Sequence, residues 1–579
     1  MVLHSTTPDV YGPGTFTDTE FIPVPKDCRR VLAWLASVTP GFTKDSKALE
    51  NVHFHGSDMP ALPGPLKPQV LSAVLFAMAG IVAREICTLK SIDTGKVFVN
   101  TDQAALYPAS ASIFEIDGKM GFELAQDGSL WKLGTDLDKG AMTKNAMHYR
   151  SWSIYPTRDK DIWFQVMGNL DPPGFLRAFV MDSEAPVKSN DEAYELQKVV
   201  FSKYSARELE MKCIEHGFVG QTCLSPQAWR NTLMGKTLAG HPLINYRPMP
   251  ELMGSTPIQF PCTPSDKRAL AGIKVVEFSR VIAAPALGAV LPSFGAEVIK
   301  LNSPNLADPN ALQLTLTAGK YTGQADLNNA EDRKRVHKLV EEADVVVQGF
   351  RHGALERKGF GLIDTVAMAN KRGKGIVYLD LSCYGPDGTY AERPGYQQIA
   401  DAASGAAYIC GKAYGFEEGV SVLPALPIAD MCTGCAGAVA IMLALRDRAK
   451  TGGSYTCHAA LTSTDTIQVG PEMGLYPPEI VKKIQDTYQF APMTPDLHVE
   501  DLLFVVLEAW AESDLMKHKE FYARFPESPF SLNHTILAPI VHFEDGAADP
   551  YWNHSPVPYL HHPMVDWTQC DKEYGVARA

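Results

Sequence analysis

Apolar β-branched runs alternate with amphipathic stretches between residues 272 and 382. The strand-like runs cover 272–280, 296–301, 344–350 and 373–382, and the helical patterns cover 285–295 and 330–343. Strands that are apolar along their whole length are buried on both faces, and their alternation with helices is typical of parallel sheets. The pattern predicts an α/β fold built on a Rossmann-like, doubly wound parallel sheet. Residues 149–250 predict a smaller α/β unit.

Two longer apolar stretches, 65–89 and 423–453, predict buried helices that begin after prolines. In the second stretch Asp430 follows Pro427, and Thr451 with two glycines ends the helix. A carboxylate at a helix N-terminus faces free N–H groups and the positive end of the dipole, which favours its ionised, nucleophilic form. The alternative interpretation of Asp430 is a simple N-cap residue.

The two helical stretches and the segments after them correspond in sequence. Residues 77–85 align with 438–447, 94–106 align with 451–463, and Arg84 aligns with Arg446. We interpret this as an internal duplication into two related domains. The first copy has Pro68 or Gln69 at the position of Asp430, so we expect only the second copy to carry the chemistry of that carboxylate.

Ligands of open parallel sheets bind at the carboxyl ends of the strands. Here those ends are the tripeptides 279–281 and 349–351 and the segment 382–385, with Arg280, Lys300, Lys320, Arg351 and Arg357 as the available cations. The sequence has no GxGxxG or GxxxxGK[ST] at these ends, so a dinucleotide or P-loop site lacks its phosphate cradle.

Composition narrows the possible partners. The 53 Lys and Arg against 66 Asp and Glu give a net charge of −13, which argues against a nucleic acid or an anionic membrane as the main partner. The N-terminus shows no signal-peptide pattern and we found no apolar run of membrane length, so we expect a cytoplasmic protein. The 11 Cys indicate reduced thiols, and neither Cys432 with Cys435 nor His53 with His55 has further ligands at metal-site spacing, so we expect no metal.

Four segments in this order, 275–301, 343–361, 382–405 and 427–453, resemble CoA-transferase family III (CaiB/BaiF). This family includes formyl-CoA and carnitine CoA-transferases and the α-methylacyl-CoA racemases. The resemblance implies five divisions: a truncated, degenerate first-copy segment (1–148), a small α/β domain (149–250), a linker (251–269), a catalytic Rossmann-like domain (270–475) and a closing segment (476–579). It also implies a homodimer or an internal pseudo-dimer.

Site residues follow from the resemblance position by position. Asp430 falls on the family's catalytic aspartate, at the end of a P-x-A-D pattern. The implied CoA-binding positions are Ser279, Arg280, Val281, Lys320, Gly349, Phe350, Arg357, Tyr384 and Tyr396. The sequence departs from the family at Gly349, where Asn is common, and at Lys320, where the usual N-K-R is reduced to Gly-Lys-Tyr.

The resemblance implies transfer of CoA from an acyl-CoA to a small carboxylic acid through an aspartyl anhydride and an aspartyl-CoA thioester at Asp430. CoA and acyl-CoA are then substrates. The family's racemases pair the aspartate with a His where this chain has Tyr396, and a Tyr is a poor base at neutral pH, which favours transfer over racemisation. A repurposed, non-catalytic relative is the third possibility.

Overall fold

The computed structural model describes residues 4–138, 144–249, 255–559 and 567. The elements of the first range are β1 (Thr6–Pro8), β2 (Phe16–Asp18), α1 (Val24–Val38), α2 (Ser46–Glu50), β3 (Val52–His55), α3 (Pro68–Leu89), β4 (Val97–Asn100), α4 (Thr101–Leu106), β5 (Phe114–Ile116), β6 (Lys119–Met120) and α5 (Gly121–Gln126).

The second range contains α6 (Ala146–Arg150), β7 (Ile154–Pro156), β8 (Trp163–Met167), α7 (Pro172–Ala178), α8 (Asn190–Phe201), α9 (Ala206–Glu215), β9 (Val219–Thr222), α10 (Pro226–Asn231), α11 (Leu233–Leu238) and β10 (Asn245–Pro248).

The third range begins with β11 (Lys274–Phe278), α12 (Ala283–Ser293), β12 (Glu297–Asn302), α13 (Gln313–Leu316), β13 (Lys320–Gln324), α14 (Ala330–Glu342), β14 (Val345–Gln348), α15 (Leu362–Lys371) and β15 (Val377–Ser382). It continues with α16 (Gln397–Ser404), α17 (Ala406–Ala413), α18 (Ile428–Thr451), β16 (Tyr455–Ala460), α19 (Leu461–Gln468), α20 (Pro478–Tyr488), α21 (Val499–Glu512), β17 (Tyr522–Phe525), β18 (His534–Leu537) and β19 (Val541–Phe543).

The largest sheet has the strand order β10-β16-β15-β14-β11-β12-β13, parallel throughout except at β10. Because side chains alternate along a strand, each strand buries residues on both faces. Val275, Val345 and Val377 pack into the core that contains α12 and α18, whereas Val276 and Val346 pack against α14 and α15. The prediction of an α/β fold with a mostly parallel sheet is confirmed.

The two long helices α3 and α18 pack against each other in the centre of the protein. By length and composition both are apolar enough to cross a membrane, so the expectation that no apolar run reaches that length is wrong. Within this fold, however, 89% of the most apolar stretch of α3 and 100% of that of α18 are buried inside the protein. Helices of this kind are also found in the cores of globular folds, so the composition alone is weak evidence for a membrane span.

The strand that follows each long helix pairs with a strand from a distant part of the chain. β4 pairs in parallel with β3 and antiparallel with β19, while β16 pairs in parallel with β15 and antiparallel with β10. The strand after each long helix is therefore flanked on one side by a strand from the opposite half of the chain. Residues 149–169 contain the end of α6 and the antiparallel pair β7 and β8, because the Arg158–Asp161 segment turns the chain.

Helix α18 lies so close to α12 that only a glycine fits at their contact. A Cβ on Gly434 would lie 2.7 Å from the Ala283 carbonyl oxygen and 2.9 Å from the Leu287 nitrogen, both backbone atoms of α12. A Cβ on Gly437, one turn later, would meet the Cδ1 atoms of Leu287 at 2.6 Å and Leu379 at 3.3 Å, which are ends of flexible side chains.

We therefore expect Gly434→Ala to lower the free energy of unfolding by ~1–3 kcal/mol, because α12 and α18 must separate. The matched control Gly437→Ala will have a smaller effect, because leucine rotamers can adjust. Urea unfolding of both variants measures the difference. Equal effects of the two substitutions would contradict the close backbone contact.

Candidate functional site

A cleft of about 330 Å³ opens at the carboxyl ends of β11, β14 and β15, above the N-terminus of α18. β11 and β14 are neighbours in the sheet although two strands separate them in the chain, so the cleft lies where the strand order reverses. The polar and charged side chains on its wall are Arg280, Arg351, His352, Arg357, Ser382, Arg393, Tyr396 and Asp430.

Asp430 is the third residue of α18, and its side chain lines the floor of the cleft. The residue that precedes the helix is Pro427, which has no side-chain donor or acceptor, so the interpretation of Asp430 as an N-cap is wrong. The Asp430 N–H donates to Oε1 of Gln397 at 2.8 Å. Within the described part of the chain, no side chain or backbone group donates a hydrogen bond to the Asp430 carboxylate.

Burial raises the pKa of Asp430 from 3.8 to about 7. The helix N-terminus was expected to favour the ionised form of Asp430, and that expectation is wrong for this geometry. The carboxylate lacks the hydrogen bonds that stabilise a charge, and the loss of hydration outweighs the helix dipole. A carboxylate of raised pKa is a stronger nucleophile once it has lost its proton.

The turn after β11 holds a strained backbone at the edge of the cleft. Val281 has φ = 67°, a left-handed conformation that β-branched residues rarely adopt. Its N–H donates to Asp308 Oδ1 at 2.9 Å, and Asp308 forms a fully buried ion pair with Lys300 at 3.3 Å. The neighbouring Arg280 donates to the Ala307 carbonyl at 2.8 Å. Strain of this kind persists where surrounding contacts fix it, often at functional sites.

The wall of the cleft is positively charged. Arg393 forms an ion pair with Glu210, whereas Arg280, Arg351 and Arg357 have no carboxylate within 4.0 Å in the described ranges. The Arg280 guanidinium lies 5.6 Å from the centre of the Phe350 ring. Three arginines without a carboxylate partner provide a local site for an anionic ligand on a chain of net charge −13.

A second cavity of about 170 Å³ adjoins the cleft and shares Leu306, Phe350 and Ala354 with it. It lies beside the ends of β12 and β13 and is further lined by Asn302, Asp326, Leu327, Asn328 and Lys358. These residues were not predicted as site residues, although the end of the predicted strand at 296–301 was a signal for Asn302. Together the two cavities form one elongated site.

Among the predicted residues, Arg280, Val281, Gly349, Phe350, Arg357, Tyr396 and Asp430 line the cleft. The described lining does not include the other three, and their polar groups have partners elsewhere. Lys320 donates to Glu277 and to the Pro285 carbonyl, both at 2.8 Å, and burial lowers its pKa to about 8. Ser279 also donates to Glu277, at 2.5 Å, and Tyr384 donates to Gln221 at 2.7 Å. These three side chains stabilise the interior behind the cleft.

Sequence reasoning also missed residues of the site. His352 and Arg393 line the cleft, and Gln397 binds the backbone of Asp430. Arg393 and Gln397 lie within three positions of Tyr396 in the sequence, and His352 follows Arg351. Their closeness in sequence to residues that were already candidates was the available signal.

Comparisons with known proteins show which sequences this chain is similar to. A sequence model described as "CoA-transferase family III" matches residues 270–492. This range contains strands β11 to β16 of the largest sheet. An "Acyl-CoA transferase" of Gibberella moniliformis is 45% identical over 567 residues, which cover 97% of this chain and 98% of that protein.

Two further relatives extend the comparison. The "Acetyl-coenzyme A transferase nodX" of Hypoxylon pulicicidum is 28% identical over 516 residues, covering 87% of this chain and 86% of that protein. The solved structure of a CAIB/BAIF family protein from Brucella suis is 31% identical, covers 35% of this chain and 55% of its own, and has a TM-score of 0.30.

The raised pKa of Asp430 predicts a pH-dependent cost in stability. The folded state binds a proton that the unfolded state has lost between pH 3.8 and about 7, so stability falls as pH rises through this window. Asp430→Asn removes that cost. We expect the variant to exceed the wild type in free energy of unfolding by up to ~4 kcal/mol at pH 8, and by less at pH 5.

Denaturant unfolding at the two pH values measures the effect, with the highly exposed Asp514→Asn as control. A gain that is equal at both pH values, or larger at pH 5, would show that Asp430 does not carry the raised pKa.

Proposed function

The chain belongs to CoA-transferase family III, and we propose that it moves CoA from an acyl-CoA donor to a carboxylic acid through covalent intermediates at Asp430. The observation that carries the proposal is the position of Asp430: a buried carboxylate on the floor of a cleft whose wall bears three arginines without carboxylate partners. The named relatives act on acyl-CoA or acetyl-CoA, and this supports CoA thioesters as the substrates.

The proposed reaction begins when the Asp430 carboxylate attacks the thioester carbonyl of the donor. The C–S bond breaks, CoA leaves as thiolate, and an acyl-aspartyl anhydride forms. The thiolate then attacks the aspartyl carbonyl, which releases the donor acid as carboxylate and leaves an aspartyl-CoA thioester. The acceptor carboxylate repeats the two steps in reverse, giving the new acyl-CoA and free Asp430 with no net proton transfer.

Burial of Asp430 suits both covalent intermediates. An anhydride and a thioester hydrolyse when water reaches them, and a floor enclosed by α12, α16 and α18 keeps water away from the carboxyl carbon. The same burial gives the carboxylate its raised pKa and therefore its nucleophilicity. All steps use groups of the chain, the CoA thiolate and the two acids.

The elongated site accommodates an extended ligand. We propose that Arg280, Arg351 and Arg357 bind the phosphates of CoA, that the adenine enters the second cavity beside Phe350, and that the pantetheine arm follows the cleft to Asp430. Guanidinium groups suit phosphate oxygens because they donate in pairs. The strained turn at Val281 and the Phe350 ring border the path between the two ends.

The racemase alternative is weaker in this geometry. It requires a second acid/base group, and Tyr396 is the residue at the family's His position. Burial raises the pKa of Tyr396, which makes this hydroxyl a still poorer base at neutral pH. The open cleft and its unpaired arginines argue against a repurposed, non-catalytic relative.

The proposal includes the internal duplication and its five divisions. In both halves a long buried helix is followed by a strand and a short helix: α3, β4 and α4 in one, α18, β16 and α19 in the other. The exchanged edge strands β10 and β19 support an internal pseudo-dimer. Gln69, near the start of α3, bridges Ala61 N and Thr101 O, so the first copy has an amide contact where the second has its carboxylate. A cytoplasmic location stays a prediction, and residues 560–566 and 568–579 of the closing segment lie outside the described residues.

Covalent transfer predicts an adduct on Asp430. We expect the intact mass of the protein to increase by an acyl or CoA group after mixing with a matching acyl-CoA, because the attack leaves the group on the carboxylate. Hydroxylamine will remove the adduct, and peptide mapping will locate it at Asp430.

Asp430→Asn keeps the shape of the side chain and will give no adduct while still binding CoA. Transfer activity at wild-type rate in this variant would refute the aspartyl mechanism.

The arginine wall predicts a binding defect without a chemical defect. Because the phosphates of CoA lie far from the reacting carbonyl, Arg357→Gln will raise the KM for acyl-CoA roughly tenfold and leave kcat within about twofold. Steady-state kinetics with varied acyl-CoA measures both values. Arg335→Gln, on α14 and paired with Asp332, is the control. An unchanged KM in an Arg351/Arg357 double variant would place the phosphates elsewhere.

A further inference from the structure

Three aspartates from three helices meet behind the floor of the cleft. Asp401 of α16 and Asp465 of α19 are each 1% exposed, and each interacts electrostatically with Asp430 of α18. The carboxyl group of Asp465 lies close enough to Asp401 to raise its pKa. The mechanism proposed above uses Asp430 and leaves the other two without a role.

One amide joins the pair to the start of α18. Gln397, the first residue of α16, is 5% exposed. Its Nε2 donates to both carboxyl oxygens of Asp401 at 2.9 Å, and its Oε1 accepts the N–H of Asp430 at 2.8 Å. The orientation of the amide is fixed chemically, because a backbone N–H can only donate and therefore requires the amide oxygen.

This hydrogen bond supplies what the start of α18 lacks. The first N–H groups of a helix have no partner within the helix, and Pro427 cannot cap them. An N–H that is buried at a helix start without a partner destabilises the fold. Gln397 satisfies the N–H of the very residue whose carboxylate lines the cleft, and so it fixes the backbone that carries this carboxylate.

The pair behind Gln397 is built to hold one proton. Two buried neighbouring carboxylates repel each other when both are ionised, so at least one of them is protonated. Asp465 Oδ2 is buried without a hydrogen-bond partner in the described structure, and a full charge there would be unsolvated. Burial and the neighbouring carboxylates raise the pKa of both groups.

The other titratable groups that face the pair are Asp430 from α18 and the thiols of Cys223, Cys383, Cys410 and Cys432. Burial raises the pKa of each thiol, so all four are neutral. A bond of 2.6 Å between Thr433 and Thr464 Oγ1 atoms also fixes α19 against α18. This contact holds Asp465, which lies on α19, in place relative to α18.

We propose that Gln397 is a positioning residue for CoA transfer, which fixes the first turn of α18 so that Asp430 points into the cleft, and that the Asp401–Asp465 pair holds the Gln397 amide in this orientation. The inference rests on the proposed function, because it assigns a role toward Asp430 as the nucleophile. Neither Gln397 nor the pair contacts substrate in this assignment.

The test compares variants that keep shape with variants that keep hydrogen bonds. Gln397→Met fills the same space without the amide, and we expect kcat to fall at least tenfold while the Kd for CoA stays near wild type and the unfolding midpoint falls only modestly, because the Asp430 N–H loses its partner. Gln398→Met, the next residue of the same buried helix, is the matched control and will keep kcat within twofold.

The pair is tested by rescue. Asp401→Leu removes the acceptor of Gln397 and will lower kcat as Gln397→Met does. Asp401→Asn can still accept from Gln397 and donate to Asp465, so we expect most of kcat to return. The double variant Gln397→Met with Asp401→Leu will be no slower than either single variant, because both break the same chain of contacts.

A pH profile separates positioning from a purely structural role. Because burial alone raises the pKa of Asp430, a positioning defect in Gln397→Met will lower kcat/KM by a similar factor at every pH and leave its acidic limb in place. Gln398→Met will not shift it.

The outcomes distinguish the two proposals. Activity in Asp430→Asn would refute the proposed function. An inactive Asp430→Asn with wild-type kcat in Gln397→Met would overturn the positioning role alone, and so would a Gln397→Met variant that loses CoA binding and stability together with kcat.

Discussion

The burial of almost all of α18 is the constraint on which the rest of the structure depends. One side of this helix packs against α12 so closely that Gly434 is required, and another side packs against α3. The backbone of its first turn is buried, so the N–H of Asp430 needs a protein partner, which Gln397 provides. The Asp430 carboxylate is only 8% exposed at the floor of the cleft, and this loss of hydration raises its pKa to about 7. The geometry of the helix start and the chemistry of its carboxylate have the same physical cause.

The two long helices begin in opposite electrostatic surroundings. Just before α3, Lys67 is fully buried and pairs with Asp18 at 2.5 Å and Asp27 at 2.7 Å, so charge at this point is neutralised within the fold. At the start of α18 the carboxylate of Asp430 has no cation beside it and faces a cleft. A buried ion pair contributes to one packing arrangement, whereas a buried charge without a partner remains available to a ligand. The charge before α3 is thus paired within the fold, whereas the start of α18 has a carboxylate that faces the cleft.

Much of the fold and part of the site could be predicted from the sequence. Continuous apolar strands such as 344–350 identify a parallel sheet, and the ends of parallel strands meet at one edge, which brings Arg280, Phe350 and Arg357 together. The direction of a polar side chain at a strand end is not encoded locally, so Lys320 and Ser279 were selected although both face Glu277 inside the protein. The pKa of Asp430 depends on desolvation by distant segments. Gln397 and Asp401 are spaced by four on one helix, but the approach of Asp465 follows only from the packing of α19.

A nucleophile that must later leave needs an intermediate reactivity. In the proposed reaction Asp430 attacks a thioester, is then attacked itself by a thiolate, and finally departs from an acyl anhydride. A carboxylate of ordinary pKa attacks slowly, whereas one of much higher pKa stays protonated at neutral pH and leaves poorly. A pKa near 7 lies between these limits, and it arises from burial alone, without a neighbouring cation to lower it or a second charge in direct contact to raise it further. The Asp430 N–H donates to Gln397, and this hydrogen bond involves the backbone of Asp430 and not its carboxylate, so the position of the group is fixed while its reactivity is left intact.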